Sequence, residues 1–147
     1  MPDILKNIAT LGFIGYLPVV PGTFGSLFAL GVYILLKPSL NLQIIILLIS
    51  IPVGIISSHY TEKLLNEKDS SHIVIDEFCG FFVSILFVPF SAGYALSAFF
   101  LFRFFDILKP FPIRKIEYTL PGGLGIVTDD ILAGIYTNAI LQIWRLI

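Results

Sequence analysis

The chain has 147 residues, of which 56% are apolar and only 13% are charged, whereas an average soluble domain carries about 25% charged residues. This composition argues against an ordinary soluble globule, and a formal net charge of −1 argues against nucleic acid as a partner. The single cysteine, Cys79, excludes an internal disulfide and a cysteine-based zinc site.

The length favours one domain over residues 1–147, because about 100 to 200 residues per domain is usual and no linker-like run divides the chain. The N-terminal segment carries Asp3 beside Lys6 and is interrupted by glycine and proline soon afterwards. We expect it to belong to the mature protein, because it lacks the layout of a signal peptide.

Charged residues fall into islands at 62–77 and 103–117, with a further pair at Asp129 and Asp130. The intervening segments 7–36, 38–61 and 78–102 carry no charge. This separation of charged islands by long uncharged segments is typical of a membrane protein with its polar connections on one side. Most lysines and arginines lie in the islands, so the positive-inside rule predicts that the islands face the cytoplasm.

A helix is predicted from about Leu27 to Leu36, after a loop at 21–26 (PGTFGS), and Pro38 ends it. The apolar run from Asn41 to Ser58 is the best candidate for a membrane-spanning helix, since crossing the hydrocarbon takes about 20 apolar residues. Pro52 is a candidate kink in this helix.

Residues 78–102 form a longer apolar run, but PFSAGY at 89–94 predicts a turn within it and therefore two short helices. Such a hairpin returns the two charged islands to one side, whereas a single span would separate them. The last helix is predicted from Thr128 or Asp129 through Ile143. Together these segments predict an all-α, membrane-associated bundle of about six helices, several of them short.

Two acidic pairs, Asp76 with Glu77 and Asp129 with Asp130, border charge-free apolar segments. Like charges about 4 Å apart repel by roughly 4 kcal/mol at an effective dielectric near 20, so converging carboxylates need raised pKa values or a bound cation. Mg²⁺ suits an oxygen-only shell that also takes phosphate oxygens. We expect one member of each pair to bind the metal while its neighbour caps, orients or takes a second ion; helix capping alone is the alternative.

Glu62 and Asp69 are two further candidates, because a spacing of seven returns to the same face if the helix continues between them. Surface ion pairing is the alternative for these two residues.

Two glycine-rich segments, PGTFGSL at 21–27 and GGLG at 122–125, each precede a predicted helix and suit anion contact through free backbone N–H groups. Ordinary turn chemistry is the alternative. Three basic residues of the second island, Arg103, Lys109 and Arg114, add donors for phosphate. The alternative is that these three side chains extend to the membrane boundary or form ion pairs with Asp106 instead of binding phosphate.

The two histidines, His59 and His72, lack the HExxH spacing of zinc hydrolases and are interpreted as polar surface or capping residues. Cys79 is interpreted as a packing residue, because no arginine follows it six positions on, as a cysteine-phosphatase loop would require.

Four segments in order, PGTFGSL (21–27), IVIDEFCG (73–80), FRFFDILKPFPIR (102–114) and GGLGIVTDDILAG (122–134), resemble the motifs of the phosphatidylglycerophosphatase A family. The resemblance implies an all-α fold and a Mg²⁺-dependent lipid phosphatase. Its expected reaction converts phosphatidylglycerophosphate to phosphatidylglycerol and phosphate at the bacterial cytoplasmic (inner) membrane, with the phospholipid as its partner and the active site facing the cytoplasm.

The resemblance also implies roles for individual residues. The expected metal ligands are Glu62, Asp69, Asp76, Glu77, Asp129 and Asp130, of which the last four are also expected to be catalytic. The expected phosphate or substrate contacts are Thr23, Ser26, Arg103, Asp106, Lys109, Arg114, Gly122 and Gly123.

The expected mechanism is attack by water activated on Mg²⁺, and an aspartyl-phosphate route is the alternative, since Asp also serves as a nucleophile. Two other functions stay open on sequence alone: a membrane ion-binding or transport protein, because acidic residues next to apolar helices are functional by default, and a soluble phosphatase of another phosphate ester. The sequence leaves the oligomeric state open.

Overall fold

The computed structural model describes residues 1–147, which form α-helices and no strands. Seven α-helices follow one another: α1 Pro2–Ala9, α2 Pro21–Leu36, α3 Leu40–Leu65, α4 Ile75–Ile85, α5 Ala92–Leu108, α6 Ile113–Thr119 and α7 Gly122–Leu146, with a 3₁₀ turn at Ile14–Tyr16. The all-α prediction is confirmed. There are more helices than the six or so expected, because short segments outside the long apolar runs, such as α1, are also helical.

The helices place both charged islands at one end of the bundle. Short connections at 37–39 and 86–91 join helices at the opposite end. At the charged end, Gly22 of α2 packs on Glu77 of α4, and Gly122 of α7 packs on His59 of α3. The predicted break within 78–102 is confirmed, because α4 and α5 are separate helices joined at 86–91.

The core surrounds α4, which packs against α2, α3, α5 and α7 and has its most extensive contacts with α7. Phe81, Phe82 and Ile85 of this helix are fully buried. Tyr33 of α2 meets both phenylalanine rings edge-on. The charged end of the bundle is therefore supported by a tightly packed aromatic core.

The outer surface of the bundle is unusually apolar. Ile45, Leu48, Ile49 and Ile56 of α3 are exposed. Two helices, α3 and α7, are long and apolar enough to cross a membrane, and only 22% of the apolar window in α3 is buried within the protein. Large exposed apolar patches mark contact with another protein or a membrane.

The predicted loop at 21–26 is wrong, because α2 begins at Pro21 rather than near Leu27. Proline is favoured in the first helical turn, where its missing N–H leaves no bond unmade. A Cβ added at Gly25 would lie 2.9 Å from Val74 Cβ, so this glycine permits close packing of α2 against the start of α4.

The predicted start of the last helix is also wrong, since α7 begins at Gly122, six residues before Thr128. A Cβ added at Gly123 would lie 2.7 Å from the His59 backbone nitrogen. The glycines that were predicted to precede the last helix thus belong to it and lie at a close contact between α7 and α3. Likewise α3 continues beyond Ser58 to Leu65 and ends where Asn66 adopts a left-handed conformation.

Candidate active site

A cavity of about 350 Å³ lies at the charged end of the bundle, between the start of α2, the loop before α4, the start of α4, the end of α5 and α7. It contains eight charged side chains: Asp69, Asp76, Glu77, Arg103, Asp106, Lys109, Asp129 and Asp130. We call this the acidic cavity. It brings together residues from both charged islands and from the last acidic pair.

Three carboxylates converge in this cavity. Asp76, Glu77 and Asp130 each contribute an oxygen atom, and these atoms lie within 4.8 Å of one another. All three residues are buried. Asp76 Oδ1, Glu77 Oε2 and Asp130 Oδ2 have no hydrogen-bond partner in the protein. Because a buried carboxylate without a partner is costly, this three-carboxylate cluster needs protons or a cation.

The electrostatics of the first turn of α4 agree with this need. Burial, followed by the charge of Glu77, raises the pKa of Asp76 well above its ordinary value. Burial also raises the pKa of Glu77, although the nearby Arg103 guanidinium opposes the shift. Oxygen-only ligands suit a hard divalent cation, so the cluster fits a metal ion of that type.

The helix starts and glycines explain why these acids meet. Asp76 and Glu77 occupy the first turn of α4, where the positive end of the helix dipole favours carboxylates. Gly134 of α7 packs on the carbonyl of Gly80 in α4, and a Cβ added at Gly80 would lie 2.7 Å from the Asp130 carbonyl oxygen. Close approach of the two backbones thus brings Asp130 to the α4 acids.

The members of the second acidic pair point to different partners. Asp129 Oδ2 accepts a hydrogen bond of 2.8 Å from Lys109 Nζ, while Asp130 joins the cluster. In the first pair, both Asp76 and Glu77 belong to the cluster. The members of the second pair thus have different partners, whereas those of the first pair lie together, and the expected division of roles within each pair stays a prediction.

Two fixed cations border the cluster. Arg103 Nη1 lies 3.8 Å from Glu77 Oε1 and also pairs with Asp106. Lys109 Nζ lies 2.8 Å from both Asp129 Oδ2 and Glu117 Oε1. Burial alone would lower the pKa of Lys109, but the charges of Asp129 and Glu117 raise it above its usual range. Both residues can therefore offer permanent positive charge to an anion.

Glu62 lies outside the acidic cavity. It lines an adjacent cavity of about 200 Å³ together with Asp69, Glu117 and Gly122. Because α3 ends at Leu65, the predicted shared helix face of Glu62 and Asp69 is wrong. The two residues meet differently, through a 2.8 Å hydrogen bond from the Asp69 backbone N–H to Glu62 Oε1, and Asp69 lines both cavities.

Several predicted phosphate contacts also lie elsewhere. Arg114 is exposed and donates to the Leu108 carbonyl at 3.4 Å. Ser26 Oγ donates within its own helix, to the Gly22 carbonyl at 3.0 Å. The residues that do not line the acidic cavity are Thr23, Ser26, Arg114, Gly122 and Gly123. Arg103 and Lys109 are thus the predicted basic residues that reach it.

Sequence reasoning missed several residues of the site region. Gly22 lies against Glu77 and the Arg103 guanidinium, Glu117 pairs with Lys109, and Val19 and Val20 line the cavity. Gly22 lies in a motif already singled out, and Glu117 lies in the same charged island as Lys109. The two valines carry no sequence signal, because their role depends on how the loop folds.

The fold and cavity define an all-α protein whose buried acidic cluster and adjacent cations suit the binding of a divalent cation and an anionic group together. The family model of phosphatidylglycerophosphatase A matches residues 7–145. The chain belongs to this family. No solved structure matches the chain.

Individual relatives agree with the family match. A phosphatidylglycerophosphatase A from Haemophilus influenzae is 38% identical over 147 residues, covering 95% of this chain and 90% of the relative. Another from Escherichia coli is 35% identical over 138 residues, covering 92% and 80%. A relative from Bacteroides thetaiotaomicron with the provisional name phosphatidylinositol-3-phosphatase is 35% identical over 154 residues, covering 98% and 96%.

Proposed function

We propose that the protein hydrolyses the phosphate monoester of phosphatidylglycerophosphate to phosphatidylglycerol and inorganic phosphate. The observation that carries this proposal is the three-carboxylate cluster with Arg103 and Lys109 beside it in one cavity, in a chain of this family. The cluster suits a cation and the two basic residues suit the phosphoryl oxygens. The pairing of these two features supports phosphate hydrolysis as the function.

Mg²⁺ is the cation we assign to the cluster, with Asp76, Glu77 and Asp130 as its protein ligands. Three carboxylate oxygens without protein partners would hold a hard divalent cation, which favours oxygen ligands and also takes water and phosphate oxygens. When bound, Mg²⁺ neutralises phosphoryl charge and makes coordinated water more acidic.

The basic residues hold the phosphoryl group for in-line attack. The Arg103 guanidinium, held by Asp106, offers parallel N–H donors that match phosphate oxygens. Lys109 is fixed between Asp129 and Glu117 and adds a second positive charge. Asp129 lies in the cavity outside the cluster, which makes it our candidate to accept the proton of the attacking water.

Trapping a phosphorylated aspartate would replace water attack by the aspartyl-phosphate route. In that case the phosphoryl group would pass first to a carboxylate oxygen and only then to water.

The proposed location is the bacterial cytoplasmic membrane, with the acidic cavity facing the cytoplasm. Helices α3 and α7 have the length and composition of membrane spans. Most basic residues lie at the charged end of the bundle, and Lys37 and Arg145 lie near the other. The positive-inside rule therefore favours a cytoplasmic site.

The direct test is phosphate release from phosphatidylglycerophosphate by the purified protein, with EDTA and Mg²⁺ add-back. We expect activity to disappear with EDTA and return with Mg²⁺. Asp76→Asn, Asp129→Asn and Asp130→Asn should each lower turnover by about 10²-fold or more without unfolding the protein. Asp3→Asn, on the exposed part of α1, is the matched control and should behave as wild type.

Substantial activity in the Asp76→Asn and Asp130→Asn variants would contradict the assigned ligands. Absence of phosphate release together with Mg²⁺ flux into liposomes would favour the ion-transport alternative instead.

A second candidate substrate is phosphatidylinositol 3-phosphate. It is favoured by the name of the Bacteroides thetaiotaomicron relative, which is as similar to this chain as the Escherichia coli protein. Comparing kcat/KM for the two lipids decides between them, and we expect the higher value for phosphatidylglycerophosphate.

A further inference from the structure

The segment between α1 and α2 places apolar side chains at the edge of the acidic cavity. Val19 and Val20 line the cavity alongside Asp76, Glu77 and Arg103. Val19 is 93% exposed and Phe13, in the same segment, is 75% exposed. Val19 and Phe13 thus both face outward from the segment that borders the acidic cavity through Val19 and Val20.

Backbone conformation and contacts with His72 hold the segment between α1 and α2 in place. Val19 has φ 80°, a left-handed conformation that is a genuine outlier for a β-branched residue. The His72 ring lies 2.8 Å from the Gly15 carbonyl through Nδ1 and stacks on Tyr16 at 4.6 Å. A strained residue persists only where its surroundings fix it, so Val19 is held in this exposed position by the contacts around the loop.

The apolar surface continues from this loop along the bundle. Phe24, Leu27, Phe28 and Leu35 of α2 are exposed. At 1.5 Å per residue, the 16 residues of α2 span about 24 Å, most of the hydrocarbon thickness of about 30 Å. The loop therefore lies at the charged end of an apolar surface of nearly bilayer height.

The polar neighbours of the loop suit a headgroup layer. Lys6 Nζ lies 5.5 Å from the centroid of the Tyr16 ring, and Tyr16 is itself partly exposed. Tyrosine favours the membrane interface, and lysine near an apolar surface keeps its ammonium in the polar layer, where it can meet lipid phosphate. The positive charge and the apolar surface thus both favour a phospholipid membrane as the partner of this loop.

We propose that Phe13, Val19 and Val20 form a membrane-inserted lip. The lip enters the outermost acyl layer of the cytoplasmic leaflet and holds the mouth of the acidic cavity at headgroup level. A phospholipid then keeps its chains in the bilayer beside the lip while its phosphate enters the cavity. This inference rests on the proposed function for its substrate, but its insertion into lipid is measurable without any activity.

Fluorescence quenching tests insertion directly. Trp144, the one tryptophan of the chain, is replaced in Trp144→Phe, and Phe13→Trp supplies a probe in vesicles of phosphatidylglycerol and phosphatidylcholine. We expect lipids brominated high on the acyl chain to quench its emission, and aqueous iodide to quench it little. Quenching by iodide without quenching by bromolipid would overturn the lip, as would emission that changes only with protein density, the sign of contact between two copies.

Activity provides the second test, in proteoliposomes given either long-chain phosphatidylglycerophosphate or a water-soluble short-chain analogue. We expect Phe13→Ser to lower long-chain hydrolysis about tenfold and to leave short-chain hydrolysis near wild type, whereas Phe13→Leu retains both. Equal loss for both substrates, or no loss for either, contradicts the lip. If wild-type protein hydrolyses neither lipid, the proposed function fails while the quenching result still decides insertion.

Val19→Asn separates insertion from folding. Asparagine tolerates the left-handed conformation better than valine, so we expect the thermal unfolding temperature to hold or rise. Long-chain hydrolysis should nevertheless fall, because the apolar side chain is lost. Unchanged long-chain hydrolysis in this variant would count against Val19 as part of the lip.

Discussion

Arg103 is the cation nearest the three-carboxylate cluster, with Nη1 3.8 Å from Glu77 Oε1 and an ion pair to Asp106. Arg103→Lys keeps the charge but loses the planar fork of donors. We expect kcat to fall about 10²-fold, the effect of removing one well-placed donor from a developing anion. Steady-state phosphate release measures this loss.

Arg145→Lys is the control for that substitution, since Arg145 is exposed near the opposite end of the bundle, where it donates to the Phe87 carbonyl. Its kcat should match wild type. A wild-type kcat for Arg103→Lys would mean that charge alone suffices at this position.

The raised pKa of Asp76 predicts a pH dependence of stability. Burial and the charge of Glu77 raise this pKa in the folded protein, while the unfolded value stays near 3.9. The folded state thus binds the proton more tightly, and the stability it contributes at low pH is lost as pH rises through the folded pKa. In EDTA, the thermal unfolding temperature should therefore be higher at pH 6 than at pH 8.

Mg²⁺ should flatten this dependence, because a bound cation stabilises the ionised carboxylates that protons otherwise neutralise. Asp76→Asn should weaken it even in EDTA, and the raised pKa of Glu77 should preserve part of it. A transition temperature that rises steadily from pH 6 to pH 8 without Mg²⁺ would contradict the electrostatic account of the cluster.

The contact between α4 and α7 is the element-scale feature that assembles the cluster. Gly134 packs on the Gly80 carbonyl, and a Cβ at Gly134 would also lie 3.0 Å from Val83 Cβ. In an exposed helix, Gly→Ala stabilises by about 1 kcal/mol. We expect Gly134→Ala to lower both the unfolding temperature and kcat instead, because α7 must move away and takes Asp130 with it.

Gly31→Ala is the matched control, since Gly31 is also helical and a Cβ there meets no heavy atom within 4 Å. It should leave kcat unchanged and hold or raise the unfolding temperature. If Gly134→Ala behaves in the same way, the two helices are not held at their present distance by these glycines.

The sequence predicted element type better than element boundaries. The break between α4 and α5 was predicted from PFSAGY at 89–94. Its proline, serine and glycine interrupt a helix through local backbone preferences, which a sequence pattern contains. The starts of α2 and α7 were missed because the glycine-rich segments that contain Gly22 and Gly123 were placed before the helices. Their actual role is close packing against Glu77 and against the α3 backbone, a tertiary effect that no local pattern contains.

At the scale of the whole molecule, residue types indicated which side chains were available for the site, and the fold determined which of them lie together. Asp76, Glu77 and Asp130 were expected from acidic pairs beside apolar runs, and the fold unites them. Glu62 has the same residue type, yet the end of α3 places it in a neighbouring cavity. Charge patterning predicts which residues are available for a site; helix ends and crossings determine which of them meet.

The orientation of the bundle gives the last prediction. Lys68 lies at the charged end and Lys37 at the opposite end, and both are exposed. Cys79 is buried, so Cys79→Ser provides a background in which Lys68→Cys or Lys37→Cys supplies a single thiol. Because α3, at 26 residues, is about 39 Å long, its two ends should face opposite aqueous compartments.

A membrane-impermeant maleimide should therefore label Lys68→Cys in inverted vesicles and Lys37→Cys in intact spheroplasts, with no label on Cys79→Ser alone. The reverse pattern would place the acidic cavity outside the cytoplasm. Labelling of both positions from one side would mean that the bundle rests on the membrane without crossing it, in which case the exposed apolar surface of α3 would need a protein partner to shield it from water.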